Sequence, residues 1–99
     1  LKFNPRGLYA FKKDDAIWIS GSNGDLHFQG LFFCVGSKYG INRGPISKLH
    51  ITRNGKTVYE YDRGTSLRAK DADVQKFKDS IVKSGRSLYK QGSEKLLKK

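Results

Sequence analysis

Along the first two-thirds of the chain, apolar and polar positions alternate; helical spacing of apolar residues emerges only near its end. Ala16-Ile17-Trp18-Ile19-Ser20 combines β-branched and aromatic side chains, the composition of a half-buried strand. Leu8 to Phe11 predicts a shorter strand before it, with Lys12-Lys13-Asp14-Asp15 as a polar turn between them. Gly21-Ser22-Asn23-Gly24 predicts the next turn, since these residues tolerate tight backbone or bond their own main chain. Leu26 to Val35 is long enough to cross a sheet. Leu26 and Phe28 share one parity, and Leu31, Phe33 and Val35 the other. A bulge near Gly30 is therefore expected to bring both sets to one face.

Gly36 to Pro45 reads as a glycine-rich connection. Ile46 to Arg53 and Lys56 to Asp62 then flank Asn54-Gly55, the strongest short-range signal for a β-hairpin. A two-residue loop would set Leu49 opposite Glu60 and Ile51 opposite Val58. A three-residue loop with Gly55 left-handed sets Leu49 opposite Tyr59 and Lys48 opposite Glu60. The second register is preferred because it places Tyr61 on the apolar face and pairs opposite charges.

After residue 70 the period changes. Val74, Phe77 and Ile81 stand at i, i+3 and i+7, one apolar stripe, with Asp71 as N-cap and Asp73 in the first turn. Gly85 is expected to end that helix. Strands followed by a helix predict an α+β fold: an antiparallel sheet of four to five strands with a C-terminal helix packed on one face. Residues 1–84 are expected to form the domain, and residues 85–99 a basic, frayed helical extension.

Composition narrows the function. A chain of 99 residues is one domain, and its 36% hydrophobic content supports one modest core. Lys and Arg number 20 against 9 Asp and Glu, a net charge of +11. The excess is uneven: residues 1–36 carry +1, residues 37–64 carry +4 and residues 65–99 carry +6. Such a field favours a polyanionic partner, and release of its counterions drives the contact. The single cysteine, Cys34, forms no internal disulfide, which points to a reducing, cytoplasmic setting. No apolar run reaches the roughly 18 residues that span a bilayer.

Catalytic and metal motifs are missing. His27, His50 and Cys34 lack ligand spacing, so neither a metal nor a cofactor is expected. The glycines between Gly36 and Gly44 do not match a P-loop, although Lys38 and Arg43 flank exposed backbone there. The basic residues carry the functional signal. Arg43, Lys48, Arg53, Lys56, Arg63 and Arg68 fall within one hairpin and its flanks and are expected to converge, with Arg86 extending the surface onto the C-terminal helix. Arg53 and Lys56, neighbours at the turn, repel unless an anion offsets them. Tyr39, Tyr9, Trp18 and Tyr89 are candidates for stacking on bases, Tyr39 foremost because it lies in the connection.

Tyr39-Gly40-Ile41-Asn42, Ile46-Ser47-Lys48-Leu49 and Tyr61-Asp62-Arg63-Gly64 resemble a family of small proteins from phages and mobile elements of Gram-positive bacteria. That family's pattern is YGIN, two glycines, ISKL, a strand and YDRGW. The similarity covers residues 26 to 84; Arg43 and Pro45 alter the loop, and Thr65 stands where the family often has Trp. The resemblance implies a mobile-element setting and a compact β-rich domain, and supplies no catalytic residues. The expectation is thus a non-catalytic DNA- or RNA-binding domain. The alternatives are a module that binds an acidic host protein and, third, a small basic nuclease using His27 or His50.

Overall fold

The alternating segments become strands. A computed structural model describes residues 9–13, 16–33, 40–41 and 44–97. Its elements are β1 (Tyr9–Lys13), β2 (Ala16–Asn23), β3 (Leu26–Phe33), β4 (Ile46–Arg53), β5 (Lys56–Asp62), β6 (Thr65–Leu67), α1 (Ala72–Lys83) and α2 (Gly85–Leu97). The strands pair antiparallel in chain order, so the described residues form a six-stranded meander. Both helices lie on one face. The fold is α+β as expected, with a sixth strand and a second helix beyond the expected four to five strands and one helix.

Period-2 alternation assigns the two faces. Ile17, Ile19, Phe28, Phe32, Leu49, Ile51 and Tyr59 point toward the helices and are buried against Val74, Phe77, Ile81 and Leu88. Phe28 and Phe77 meet edge to face, with ring centroids 6.1 Å apart. Among the described residues the other face carries no helix.

Three local expectations are corrected. The β2–β3 turn is Gly24-Asp25, so β2 runs on through Asn23, which pairs with Leu26. No bulge occurs at Gly30. β2 and β3 pair without a break, Leu26, Phe28, Gly30 and Phe32 face the helices, and Leu31 and Phe33 take the opposite face. Gly30 is required by close packing: a Cβ there would stand 2.9 Å from both the Lys48 carbonyl oxygen and the Phe32 ring. The irregularity falls instead on β4, where Ser47 is the extra residue between Ile46 and Lys48. The hairpin keeps the two-residue register at its turn, where Arg53 pairs with Lys56, and departs from both expected registers beyond Thr52; the preferred three-residue register is not adopted. Asn54 and Gly55 both have positive φ, 52° and 82°, the signature of a two-residue type I′ turn. Thr52 then pairs with Thr57, and Val58 is an extra residue that shifts the register, so Ile51 faces Tyr59 and Leu49 faces Tyr61. The bulge keeps the turn that suits the strand twist while still turning both tyrosines toward the helices.

The largest departure is at the C-terminus. Ser84 caps α1, and Gly85 begins α2. α2 packs on β1, β2 and β3 and against α1. Its stripe is Gly85, Leu88 and Gly92, at i, i+3 and i+7, the same spacing as Val74, Phe77 and Ile81. Leu88 is 1% exposed, and a Cβ at Gly92 would lie 2.8 Å from Ile17 and 3.0 Å from Ile19. Two glycines let the helix approach the sheet closely, and they also hide the stripe from any count of apolar residues.

Candidate nucleic-acid interface

Among the described residues the basic side chains do not meet on one patch. Lys38, Tyr39 and Arg43 lie outside the described residues. The remaining hairpin basics divide between two ends of the β4–β5 hairpin, separated by a strand length of about 20 Å. Lys48 and Arg63 are at one end. Lys48 reaches Asp62 across the pair at 3.9 Å, and Arg63 is exposed at the β5–β6 turn, its φ at 59° and its N–H donating to the Ser47 carbonyl at 3.1 Å. Arg86 is exposed on α2, next to Gly85, which packs against Pro45 and Ile46.

Arg53 is also reassigned. It closes β4 on the helix-facing side, opposite Leu26, and its guanidinium runs under the start of α1. Nε lies 3.2 Å from Asp25, Nη1 lies 3.5 Å from Asp71, and Nη2 donates to Asp73. Asp71 therefore turns to Arg53 and makes no side-chain cap bond of its own, while Asp73 Oδ1 accepts the Val74 N–H at 2.9 Å. The carboxylates of the β2–β3 turn and of α1 neutralise Arg53, so it does not form a bare positive pair with Lys56. Arg53 is a clamp that ties β4 to the β2–β3 turn and to the first turn of α1.

The clamp has a pH signature. The hydrogen bond from Arg53 holds the Asp73 carboxyl below its ordinary value of 3.8. A carboxyl lowered by folding contributes stability above that ordinary value, and the contribution is lost as pH falls through the lower folded value. Asp79, lowered by Lys78 and then Gln75, adds to the same acid-side loss. Arg53→Met is expected to lower the melting temperature near neutrality, where Asp25, Asp71 and Asp73 would face one another unpaired. The gap from the parent protein should narrow below about pH 4, as protonation relieves the repulsion. Thermal melts across that range check it; a constant gap contradicts the clamp.

Lys56 and Arg68 do come together, and Lys70 joins them. They line a cleft of about 370 Å³ between the β4–β5 turn, the segment after β6 and the start of α1, floored by Val58, Leu67 and Val74. Lys56, Arg68 and Lys70 are exposed, and none of the described ion pairs involves them. Asp71, the carboxylate on the rim, is drawn toward Arg53. The positive end of the α1 dipole adds to the field. Lys70 escaped the sequence reading, yet its signal was present: two residues apart in extended chain, Arg68 and Lys70 share a side.

The helix-free face presents a different chemistry. Tyr9 and Phe11 are 73% and 53% exposed, and Phe11 stacks on Trp18 with centroids 6.4 Å apart and planes at 21°. Tyr89, by contrast, packs against the core. His50 Nε2 is 2.8 Å from the Thr57 hydroxyl and sits opposite Glu60, while His27 is exposed. Among the described residues no group of three His, Cys, Asp or Glu side chains is placed to hold a metal.

A six-stranded meander with two C-terminal helices on one face and an unneutralised basic cleft at one end defines a small α+β domain. The chain belongs to the DUF7678 family, a domain of unknown function, whose sequence profile matches residues 17–85. The match takes in β2 to α1 and stops where α2 begins. No curated protein and no solved structure matches the chain. No helix among the described residues is long and apolar enough to cross a membrane.

Proposed function

We propose that this domain binds nucleic acid without catalysing a reaction, and that Lys56, Arg68 and Lys70 hold the phosphate backbone. One observation carries the reading: three exposed basic side chains converge at a helix N-terminus with no ion-pair partner among the described residues. Phosphate oxygens supply the missing counter-charge, and a net charge of +11 adds a long-range attraction. Lys48, Arg63 and Arg86 contribute to that field from outside the cleft. The setting we propose is the cytoplasm of a bacterium carrying a phage or mobile element.

The test is fluorescence anisotropy of a labelled oligonucleotide titrated with the protein at several salt concentrations. Affinity is expected to fall steeply from low to physiological salt. Absence of binding at low ionic strength, or affinity indifferent to salt, rejects the reading. The exposed Tyr9 and Phe11 rings favour a second reading, a module for an acidic protein partner. Capture of such a partner that survives nuclease treatment and is unaffected by charge reversal in the cleft would select it.

A further inference from the structure

Cross-strand partners in an antiparallel sheet point to the same side, so the strand register maps the helix-free face row by row. One row runs Phe11, Trp18, Leu31, Lys48, Asp62; the next runs Tyr9, Ser20, Gln29, His50, Glu60. The β1–β2 end of both rows is aromatic, and the β4–β5 end is polar. Two shallow recesses lie along them. One, of about 150 Å³, has Tyr9, Phe11, Trp18 and Gln29 in its lining. The other, of about 190 Å³, has Trp18, Gln29, Lys48, His50, Glu60 and Asp62. Trp18 and Gln29 belong to both, so the recesses adjoin.

An aliphatic protein surface would cover the rings but take the exposed Gln29 and Glu60 out of water without supplying hydrogen-bond partners. A nucleobase satisfies both halves: its π-face stacks on the rings, and its edge offers amino donors and ring acceptors to the amide and carboxylate. Lys48 balances Asp62 at 3.9 Å, so Glu60 is the carboxylate that belongs with base amino groups, leaving the phosphates to the cleft. That cleft lies past β5 on the helix-bearing side, about five strand spacings or 24 Å from β1 across the sheet, so the nucleic-acid strand must turn over the β6 edge to reach it. A chain of several nucleotides crosses that distance. Within a duplex the base faces are hidden by their neighbours in the stack, so only an unpaired strand presents them.

We infer that the nucleic acid this domain recognises is single-stranded, with bases stacked on Tyr9, Phe11 and Trp18 and phosphates held at Lys56, Arg68 and Lys70. The inference rests on the nucleic-acid reading above and adds to it the strand state and the stacking surface.

Trp18 is the only tryptophan, so intrinsic fluorescence reports on this face alone. The probes are a polypyrimidine oligomer of about ten nucleotides, within the range one small domain covers, in deoxy and ribo forms, and the same sequences paired with their complements. Either single strand is expected to quench Trp18 on binding, and the duplexes are not. The Y9A/F11A variant should keep its melting temperature, because both rings are exposed, and should keep its weak duplex affinity. Its affinity for single strands should fall at least about tenfold, the 1.4 kcal/mol scale of one stacked base. Equal binding of single strand and duplex without quenching overturns the inference and leaves the phosphate cleft standing. No binding of any oligomer overturns both. If Y9A/F11A binds oligomers like the parent but loses self-association in sedimentation, or loses a nuclease-resistant protein partner, the face serves a second copy or that partner, and the inference falls.

Discussion

Reversing two charges in the cleft, K56E/R68E, is expected to lower affinity for a short oligonucleotide on the order of 100-fold at low salt. Hydrogen bonds to charged groups contribute roughly 1.5–3 kcal/mol each, and every 1.4 kcal/mol is about tenfold. Two such bonds replaced by repulsion therefore reach that size. The structure predicts little cost to folding, since neither side chain is buried or takes part in a described ion pair. The contrast is Arg53, a residue of the same hairpin: Arg53→Met should destabilise the fold and change affinity only through folding. Anisotropy titrations of the two variants, each with its thermal melt, separate a binding residue from a clamp. Equal affinity of K56E/R68E and the parent protein would remove the cleft from the account.

The second large effect concerns α2. Leu88→Ala should destabilise the domain by about 2–5 kcal/mol, the range for emptying a buried leucine site. Leu88 is 1% exposed beneath a helix whose glycines hold it close to Ile17, Ile19 and Ile46, so the site has little freedom to collapse. For a domain this size the loss corresponds to at least about 10 °C in melting temperature. Chemical denaturation gives the same quantity from the midpoint, with an unchanged slope if the unfolded state is unaffected. A melt within a degree or so of the parent would return α2 to the status of a loose extension.

The sequence made the strands legible wherever alternation was clean, as in Ala16–Ser20 and along the Asn54-Gly55 hairpin, and it made α1 legible from one stripe of three apolar residues. It misled where glycine carried the information. Gly30 looked like a bulge and is a contact point; Gly85 looked like a stop and is the start of a packed helix. The hairpin register failed for a related reason. One inserted residue, Val58, resets every later pair, and nothing in composition announces an insertion. The candidate site was legible only as a set of charges. Which basic residues pair internally depends on carboxylates distant in sequence: Asp71 and Asp73 lie 18 and 20 positions beyond Arg53 and were read as helix-start residues alone. Lys56 and Arg68 stand clear because Asp71, the carboxylate on their rim, is drawn to Arg53, and none of the ion pairs among the described residues includes them.

The salt dependence of binding, compared between the parent protein and K56E/R68E, tests the phosphate cleft most directly. For a single strand the slope of log affinity against log salt is about −0.7 per phosphate neutralised, so the three cleft cations give about −2 or steeper. The variant neutralises two fewer phosphates, and its slope should be shallower by about 1.4. Identical slopes would mean that the phosphates are held elsewhere.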